Sequence, residues 1–508
     1  MSRVHELLLT DLRHLIGDLG KAGGQIGPSI YNTAQHLRLA PPAEGVWPGI
    51  EWLMTQQQAD GGWGPPSMPI ARDIPTLASV LALHKISERK AVREAVREGM
   101  AFLRRQASLW SGPLPEDIPI GAELILPKLL DEAAYIGLDI PCRPCYSSLR
   151  ALGERRRRLI EQLCPGAGST ASHSWEAWGS HPDPALLDDS GGVGHSPAAT
   201  AAWLHAATNR EDLAAERAVA SAFLRRACAA TGLDLPGVAP GVWPYPRNEQ
   251  TVSLFTLLLA NLLDEPMLEV VLKPQVVDMW HGLRPEGQGI RDTFSADGDI
   301  TAMSFAVAHH FGYTPARATL RRYIAGGWCM TYPQEFQRSL SATAHAAHAL
   351  ALLGDDPTPL LDNLCAQRSP ERLWEGDKWH ASWTYITGHT ISALLAAGRS
   401  DEALAALPAL LDRQHPDGSW GVTEARDEET ANITLALLDI ERCELLPEQL
   451  RGALTRASAW LMRQYRPLDE ATGACWIGKE LYRPRRIART LHLSALLGCL
   501  RSGYISLD

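Results

Sequence analysis

The sequence predicts an all-α protein made of many helices of medium length. Most segments repeat apolar residues with a helical period and are rich in good helix formers, whereas strand-like alternation is almost absent. The connecting segments carry Pro, Gly, Asp and Asn, which favour turns and end helices. The clearest helical segments, in chain order, are residues 78–83, 197–207, 214–229, 253–263, 339–353, 392–411 and 430–437.

The composition is that of an ordinary globular protein. The chain has 508 residues, of which 45% are hydrophobic and 21% are charged, so neither a disordered nor a collagen-like protein is expected. Its length predicts more than one domain, and its net charge of -10 argues against binding to nucleic acid. The 16 Trp residues outnumber the 7 Phe residues, which indicates a need for large, electron-rich rings.

The N-terminal segment and the cysteines bear on the cellular location. Residues 1–20 are charged and amphipathic, which predicts a first helix rather than a signal peptide. No run of about 20 apolar residues is present, so no membrane span is expected. The cysteines are scattered except for the pair Cys142 and Cys145, and we expect reduced thiols and a cytoplasmic location.

A short motif occurs twice between predicted helices. Residues 56–64 read QQQADGGWG and residues 413–421 read RQHPDGSWG. In both, the Asp-Gly turn calls for positive φ at the glycine, and the Gln amide is expected to bridge backbone N–H groups at the next helix start. Two copies predict two related helical domains. A weaker copy at residues 464–478 would make Trp476 a third scaffold tryptophan.

A pair of carboxylates precedes a predicted helix. Asp297 and Asp299 lie in the segment DTFSADGDITAM, residues 292–303, after a Gly-rich loop. The ordinary interpretation is a helix N-cap beside a solvated acid. In a poorly solvated pocket, however, two close carboxylates share one proton because both cannot ionise easily. One of them would then be a carboxylic acid at neutral pH, which is the group needed to protonate an alkene.

The Gln–Trp motif and the carboxylate pair resemble those of the α/α-barrel terpene cyclases. The chain as a whole is similar to the bacterial class II diterpene cyclases, which include copalyl diphosphate synthases of rhizobia. Because residues 292–303 look like the family's D-x-D-D-T-A motif, the resemblance implies that Asp299 is the general acid and that Asp297 orients it. Ile300 replaces the last Asp of that motif. The other matching segments are residues 27–34, 115–127, 173–179, 191–203, 241–249, 377–385 and 476–486.

The resemblance also implies the architecture, which is two α/α barrels named β and γ, with γ inserted into β. Residues 1–20 and 270–508 would form the β domain and residues 21–269 the γ domain, with the substrate cavity between them. Aromatic rings stabilise carbocations without capturing them. Four tryptophans in matching segments are candidates for that role, although each fits a core position equally well: Trp175, Trp243, Trp379 and Trp383.

The same resemblance assigns a part in the final deprotonation to His173. In copalyl-type synthases a His in this segment helps to hold the water that removes the final proton, together with an Asn. In this sequence Gly241 stands where that Asn is expected. We therefore expect deprotonation at the usual position to be impaired. Hydride and methyl shifts would then lead to a rearranged product at least as readily as to copalyl diphosphate.

The sequence lacks the motifs of an enzyme that ionises an allylic diphosphate. Neither D-D-x-x-D nor N-D-x-x-S-x-x-x-E is present, so the product is expected to keep its diphosphate. That group requires cations. The candidates are Lys479, which the resemblance favours, and Lys378, Arg485, Arg247, Arg483 and Arg486. The resemblance also implies one Mg²⁺ ion. Its candidate ligands are Glu116, Asp117 and Glu123.

These expectations combine into one reaction with several alternatives. The substrate is geranylgeranyl diphosphate, and the product is a bicyclic diterpenyl diphosphate, either copalyl or of a rearranged halimane or clerodane type. The product would pass to a separate class I terpene synthase or a phosphatase, and the resemblance allows a homodimer. The alternatives are drimenyl-type cyclisation of farnesyl diphosphate, a squalene-hopene-like cyclase, an α/α-barrel glycosidase and a helical repeat that only binds a ligand.

Overall fold

The all-α prediction is confirmed by the structure, a computed structural model. It describes residues 3–86, 88–115, 117–139, 143–333, 335, 337–422, 426–443, 448–467 and 474–505. The α-helices, α1 to α22 in chain order, are Arg3–Asp18, Ile30–Leu39, Trp47–Thr55, Asp73–His84, Lys90–Gln106, Ala122–Tyr135, Ser147–Leu163, Trp175–Trp178, Pro197–Ala206, Ala214–Ala229, Pro246–Leu259, Glu269–His281, Gly298–His310, Arg317–Arg321, Leu340–Leu352, Thr358–Ala366, Trp383–Ala396, Ser400–Leu404, Leu407–Asp412, Asp427–Arg442, Glu448–Gln464 and Arg485–Arg501.

Shorter elements connect these helices. Single turns of 3₁₀ helix occupy Lys21–Gly23, Pro69–Arg72, Ala107–Trp110, Arg143–Tyr146, Ala171–Ser174, Pro184–Leu186 and Glu211–Leu213. Four strands of two residues each form two antiparallel hairpins. The strands, β1 to β4 in chain order, are Ile324–Ala325, Trp328–Cys329, Trp476–Ile477 and Leu481–Tyr482.

Six helices form a closed ring in which each packs against two others: α11, α13, α15, α17, α20 and α22. Helices α1, α12, α16 and α21 pack on the outside of this ring. The result is an α/α barrel, which we call the first barrel. Its hydrophobic core draws on residues 8–26 and 245–500, so the N-terminal helix belongs with the C-terminal half of the chain.

A second ring is built from the residues in between. It consists of α2, α4, α6, α8 and α9, with α3, α5, α7 and α10 packed outside. Its main hydrophobic core draws on residues 31–198. The chain therefore begins in the first barrel, forms this second barrel and then returns, which confirms the prediction of one barrel inserted into the other.

The inner helices of the first barrel begin at side-chain caps. Asp297, Ser339 and Ser382 each accept a backbone N–H from the first turn of α13, α15 and α17, respectively. Such a cap satisfies an N–H group that has no partner within the helix. Because Asp297 caps α13, Asp299 falls in the first turn of that helix, at one end of the barrel.

Both copies of the Gln–Trp motif place their tryptophan as a staple between helices. The indole Nε1 of Trp63 donates to the carbonyl oxygen of Leu53 at 2.7 Å, and that of Trp420 donates to Leu410 at 2.8 Å. Both rings are completely buried. Each indole N–H therefore binds a carbonyl oxygen near the C-terminal end of the helix that precedes its own turn.

The glutamine of the motif acts differently from the prediction. Nε2 of Gln57 donates to the carbonyl oxygens of Gly61 and Ala95, both at 2.9 Å. Gly61 has the predicted positive φ, 88°. The amide thus ties its own turn to the middle of α5 through carbonyl groups, and the expectation that it bridges N–H groups at a helix start is wrong.

Trp374, rather than Trp476, is the third tryptophan of this kind. Its Nε1 donates to the carbonyl oxygen of Leu364 at 2.7 Å, ten residues earlier as in the other two copies. Trp476 lies in β3, and its Nε1 donates to buried Glu428 at 2.6 Å. This copy is hard to recognise in the sequence, because residues 367–376 lack the Asp-Gly turn.

The structure differs from the sequence predictions at some other positions. Residues 392–411 form parts of three helices instead of one, because the chain turns at Gly398, where φ is 72°. Cys145 is disulfide-bonded, so the expectation of reduced thiols is wrong for this residue. Cys142 lies outside the described residues, and seven other cysteines are free. Among the helices that the structure describes, none combines the length and apolarity that crossing a bilayer requires.

Candidate active site

Asp299, in the first turn of α13, is hydrogen-bonded to a buried histidine. Its Oδ1 lies 2.6 Å from Nδ1 of His345, which is on the neighbouring helix α15. The side chain of Asp299 keeps 17% of its surface exposed, whereas that of His345 keeps 1%. The histidine therefore reaches the acid from inside the barrel, and part of the carboxyl group remains accessible.

A second histidine continues this line of hydrogen bonds. Nε2 of His345 lies 2.8 Å from Nδ1 of His389, on α17. The ring of Phe255 packs edge-on against His345 and stacks against His389, with centroids 5.2 Å and 6.0 Å away. Sequence reasoning missed both histidines, although a His amid the small residues SATAHAAH of an apolar helix is a polar group that needs a partner.

Asp297 is the most deeply buried member of the carboxylate pair. It is 2% exposed, and its Oδ1 accepts the N–H of Ile300 at 2.7 Å. Burial raises the pKa of Asp297 well above its usual value, and the charge of Asp299 raises it further, while the Ile300 N–H opposes both effects. Asp297 therefore retains its proton more readily than a solvated carboxyl group. The side chain of Ile300 is itself buried and apolar, so it offers the acid no hydrogen bond.

An apolar cavity lies between the two barrels, close to this pair. Its wall includes His173, Gly241, Phe294, Tyr332, Trp379, Lys479 and Tyr482. Thr331 connects the cavity wall to the pair, because its carbonyl oxygen accepts the N–H of Gly298 at 2.9 Å and its Oγ1 accepts from Trp379. Burial raises the pKa of Tyr332 well above its usual value, and the charges of Asp297, Glu335 and Asp299 add to that effect. A substrate in the cavity would thus lie near the carboxylates.

His173 is held in one orientation in the cavity wall. Its Nδ1 lies 2.8 Å from the carbonyl oxygen of Gly194. Burial, and to a smaller extent the charge of Lys479, lower the pKa of His173 to about 3, while the Gly194 carbonyl opposes both. The imidazole is therefore uncharged at neutral pH, as a base must be before it accepts a proton.

Gly241 leaves room for a side chain. Its φ is not positive, so its backbone does not require glycine. A Cβ atom there would lie 3.6 Å from Cβ of Tyr482 and 4.0 Å from Cβ of Ser29, which are ordinary contacts. Neither the backbone nor the packing therefore requires glycine at residue 241, where the resemblance leads us to expect Asn.

Lys479 and Lys378 both line this region, and both are paired with carboxylates. Nζ of Lys479 is 2.6 Å from Oε1 of Glu176 and 2.7 Å from Oγ of Ser196. Burial lowers the pKa of Lys479, and the charge of Glu176 opposes that effect. Nζ of Lys378 binds Oε1 of Glu335 and lies 5.0 Å above the ring of Trp379.

The arginine candidates are not in the wall of this cavity. Arg247 lies in a separate surface cleft, where it is paired with Asp278 and Asp292. Nη1 of Arg485 donates to the carbonyl oxygen of Thr231 at 2.8 Å. The remaining two candidates are bound to buried carboxylates, Arg483 to Asp427 and Arg486 to Glu249.

Of the four tryptophan candidates, the structure brings Trp379 to the cavity. Trp175, Trp243 and Trp383 belong to hydrophobic core clusters, and none of them lines the cavity. Trp379 donates from Nε1 to Oγ1 of Thr331 at 2.8 Å, which fixes its ring. The other aromatic residues in the wall, which sequence reasoning missed, are Phe294, Tyr332 and Tyr482.

The described part of the chain holds no ready-made metal site. Among its residues, no three His, Cys, Asp or Glu side chains cluster around one point. Glu123 is 3.0 Å from Nε of Arg156, and Asp117 is partly buried, which raises its pKa. Glu116 lies outside the described residues. The donors present do not by themselves fit a Mg²⁺ ion, which prefers several oxygen ligands.

Comparisons with known proteins agree with this arrangement. The chain is 43% identical to the (+)-kolavenyl diphosphate synthase of Herpetosiphon aurantiacus, over 98% of each chain. It is 29% identical to the ent-copalyl diphosphate synthase of a Streptomyces species, over 94% of this chain and 93% of that one. No protein-family model matches the chain.

Solved structures show the same fold. The ent-copalyl diphosphate synthase from Streptomyces platensis has a TM-score of 0.80 and 27% identity, and the match covers 97% of this chain and 99% of that one. The Arabidopsis thaliana ent-copalyl diphosphate synthase, at 19% identity, has a TM-score of 0.66. Identity of 43% along nearly the whole of two chains shows common family membership, and the two-barrel fold agrees with it. The chain therefore belongs to the class II diterpene cyclases.

Proposed function

We propose that this enzyme converts geranylgeranyl diphosphate into a rearranged bicyclic diterpenyl diphosphate of the halimane or clerodane type, with copalyl diphosphate as the alternative product. The observation that carries the proposal is the Asp299–His345 hydrogen bond at the start of α13, which Thr331 connects to the wall of an apolar cavity. Gly241 in the cavity wall supports a rearranged product, as does the similarity to a kolavenyl diphosphate synthase.

The reaction begins when Asp299 donates its proton to the terminal alkene. The alkene electrons form the new C–H bond, and the adjacent carbon becomes a tertiary cation. Two further alkenes close the rings in turn. The faces of Trp379, Tyr332 and Phe294 stabilise the cations without bonding to them, and the apolar part of the wall offers no nucleophile that would end the sequence early.

The reaction ends when a base removes a proton from the last cation. His173 is uncharged, and with Nδ1–H bound to Gly194 it has a lone pair on Nε2 that can hold a water molecule. Without an amide at residue 241, that water has one hydrogen-bonding partner fewer. The cation therefore survives longer, and hydride and methyl shifts compete with deprotonation.

The diphosphate is proposed to lie at the outer end of the cavity. A more polar opening adjoins the apolar part and shares Ile120, Tyr332 and Trp379 with it. This opening also contains Lys378 and Arg156, whose charges suit a diphosphate. Lys479 remains a candidate, although its ammonium group already binds Glu176 and Ser196.

Magnesium remains a prediction that rests on the family resemblance, with Glu116, Asp117 and Glu123 as candidate ligands. Chelation with EDTA followed by addition of Mg²⁺ tests it. A magnesium-dependent enzyme loses its turnover and then regains it, whereas an unchanged rate contradicts the prediction.

The substrate is tested by incubation with geranylgeranyl diphosphate, farnesyl diphosphate and squalene in parallel. Products are treated with phosphatase and identified by mass spectrometry and NMR. We expect turnover of geranylgeranyl diphosphate and a bicyclic alcohol with migrated methyl groups. A drimane alcohol from farnesyl diphosphate or a hydrocarbon from squalene would instead support one of the two related cyclases.

Three further proposals concern the organisation and setting of the enzyme. We propose that the chain passes between the barrels near residues 26 and 245. The core of the first barrel draws on residues up to 26 and on residues from 245 onwards. A cytoplasmic location and transfer of the product to a class I synthase or a phosphatase stay predictions. A homodimer is a further prediction, which light scattering in solution tests.

A further inference from the structure

Asp299 must recover a proton after every turnover if it is the acid proposed above. In each cycle the alkene takes one proton from Asp299, and the last cation loses one proton to a base at another place in the cavity. The base and the acid are different groups, so the proton that leaves does not restore the acid. Asp299 therefore needs a separate source of protons.

A line of hydrogen bonds leads from Asp299 into the barrel. Oδ1 of Asp299 lies 2.6 Å from Nδ1 of His345, and Nε2 of His345 lies 2.8 Å from Nδ1 of His389. The three residues are on α13, α15 and α17, which are consecutive helices of the inner ring. Both nitrogens of His345 are thus engaged, which is the arrangement that allows an imidazole to take a proton on one side and release it on the other.

The charge of Asp299 sets the direction of this chain. Once the acid has given up its proton, Oδ1 is an acceptor, so Nδ1 of His345 must donate to it. Neutral His345 then has a lone pair on Nε2, which accepts the Nδ1–H of His389. Nε2 of His389, at the far end of this line of hydrogen bonds, consequently keeps a free lone pair.

Accessibility indicates where a proton joins the chain. His345 is 0% exposed, whereas His389 keeps 7% of its surface accessible. The rings of Phe255 and Tyr385 pack against His389, with centroids 6.0 Å and 4.3 Å away. Of the two histidines, His389 is therefore the one that water can reach, and His345 exchanges protons only with its two partners. Asp299 keeps 17% of its side chain exposed, so direct exchange with water is the competing route that the variants below test.

We propose that His345 and His389 form a proton relay that recharges Asp299 between turnovers. Nε2 of His389 binds one proton from water, and its Nδ1 proton moves to Nε2 of His345. The Nδ1 proton of His345 then moves to Oδ1 of Asp299. One proton enters, one arrives at the carboxylate, and both imidazoles end uncharged with their remaining proton on Nε2. Each ring must return to the Nδ1–H form before the next transfer.

The surroundings of His389 favour passing a proton on over keeping it bound. Burial lowers the pKa of His389 well below its usual value, and the nearby His345, His348 and His380 lower it further. An imidazole in such a place holds a proton only briefly. Among the three hydrogen-bonded residues, Asp299, His345 and His389, only Asp299 becomes negatively charged, so the proton ends on its carboxylate.

Comparing the first turnover with later ones tests the relay. In His389→Gln the amide still offers His345 a hydrogen bond but cannot pass a proton on. Rapid-quench experiments with excess substrate should show one product per enzyme formed at nearly the wild-type rate. Later turnovers should then slow by about 100-fold, the lower range for loss of a positioned proton-transfer group.

A matched control and a rescue experiment separate proton transfer from structure. His348→Gln makes the same exchange on α15, where His348 packs edge-on against Phe255 at 5.5 Å but lies outside the hydrogen-bonded chain. Because it leaves the line of hydrogen bonds intact, it should not separate the rate of the first turnover from that of later ones. In His389→Gly, added imidazole should raise the rate of later turnovers, and this variant also serves if His389→Gln does not fold.

Several results would overturn the relay. They are an equal loss in first and later turnovers of His389→Gln, no loss in either, or no effect of imidazole on His389→Gly. Absence of any cyclised product from the wild-type enzyme would instead overturn the proposed function, so the two failures can be told apart.

Discussion

Nδ1 of His173 donates a hydrogen bond of 2.8 Å to the carbonyl oxygen of Gly194. Because a carbonyl oxygen only accepts, the single proton of the neutral ring is fixed on Nδ1, and Nε2 keeps its lone pair. The burial that lowers the pKa of His173 to about 3 keeps this form as the pH falls. The ring is thus uncharged, and Nε2 has the free lone pair that the proposed role as a base requires.

This pKa predicts a product ratio that does not change with pH. A histidine with its usual pKa would become half protonated near pH 6.5, whereas His173 stays neutral throughout the range of about pH 5 to 8. We expect the ratio of rearranged to copalyl-type products to be constant across that range, as measured by gas chromatography of the dephosphorylated products. A sigmoid change centred near pH 6.5 would show that the ring titrates.

Gly241→Asn is expected to shift the product towards copalyl diphosphate. The position accepts a side chain without backbone strain, and an amide beside His173 would give the water a further partner. Gly241→Ala, which adds a Cβ atom without an amide, serves as the control and should leave the ratio close to that of the wild type. Equal product ratios in the two variants would mean that the amide is not what matters.

Lys378→Gln is expected to weaken binding of the diphosphate. Loss of a charge-assisted hydrogen bond corresponds to roughly 1.5–3 kcal/mol, so the KM for geranylgeranyl diphosphate should rise by about 10- to 100-fold. Arg247→Gln is the control, since Arg247 is bound to Asp278 and Asp292 in another cleft. If the Arg247 variant raised KM as much as the Lys378 variant, the diphosphate site would have been misplaced.

The sequence predicted features that depend on local pattern. The Asp-Gly-x-Trp turns, the cap at Asp297 and the neighbouring acid all follow from residues a few positions apart. It could not predict that His345 and His389 meet Asp299, because three separate helices bring them together. Nor could it separate Trp379 from Trp383, since both lie in matching segments and packing alone decides which ring faces the cavity.

Trp374→Phe is expected to lower stability without changing the product. The variant keeps most of the buried ring but loses the hydrogen bond to Leu364, which leaves a buried carbonyl without that donor. We expect the free energy of unfolding to fall by about 1–3 kcal/mol in urea titrations. Trp420→Phe, in a copy that the sequence revealed, should show a similar loss. A much smaller effect at Trp374 would argue against a third staple.

The central claim is that Asp299 donates the proton that starts the reaction. Asp299→Ala should fold normally by circular dichroism, since Asp297 provides the cap of α13. The decisive measurement is the amount of cyclised product that this variant forms from geranylgeranyl diphosphate in single-turnover conditions. The account predicts none above background, while wild-type product made in D₂O carries one deuterium at the carbon that was protonated. Cyclised product from Asp299→Ala at a rate near that of the wild type would contradict it.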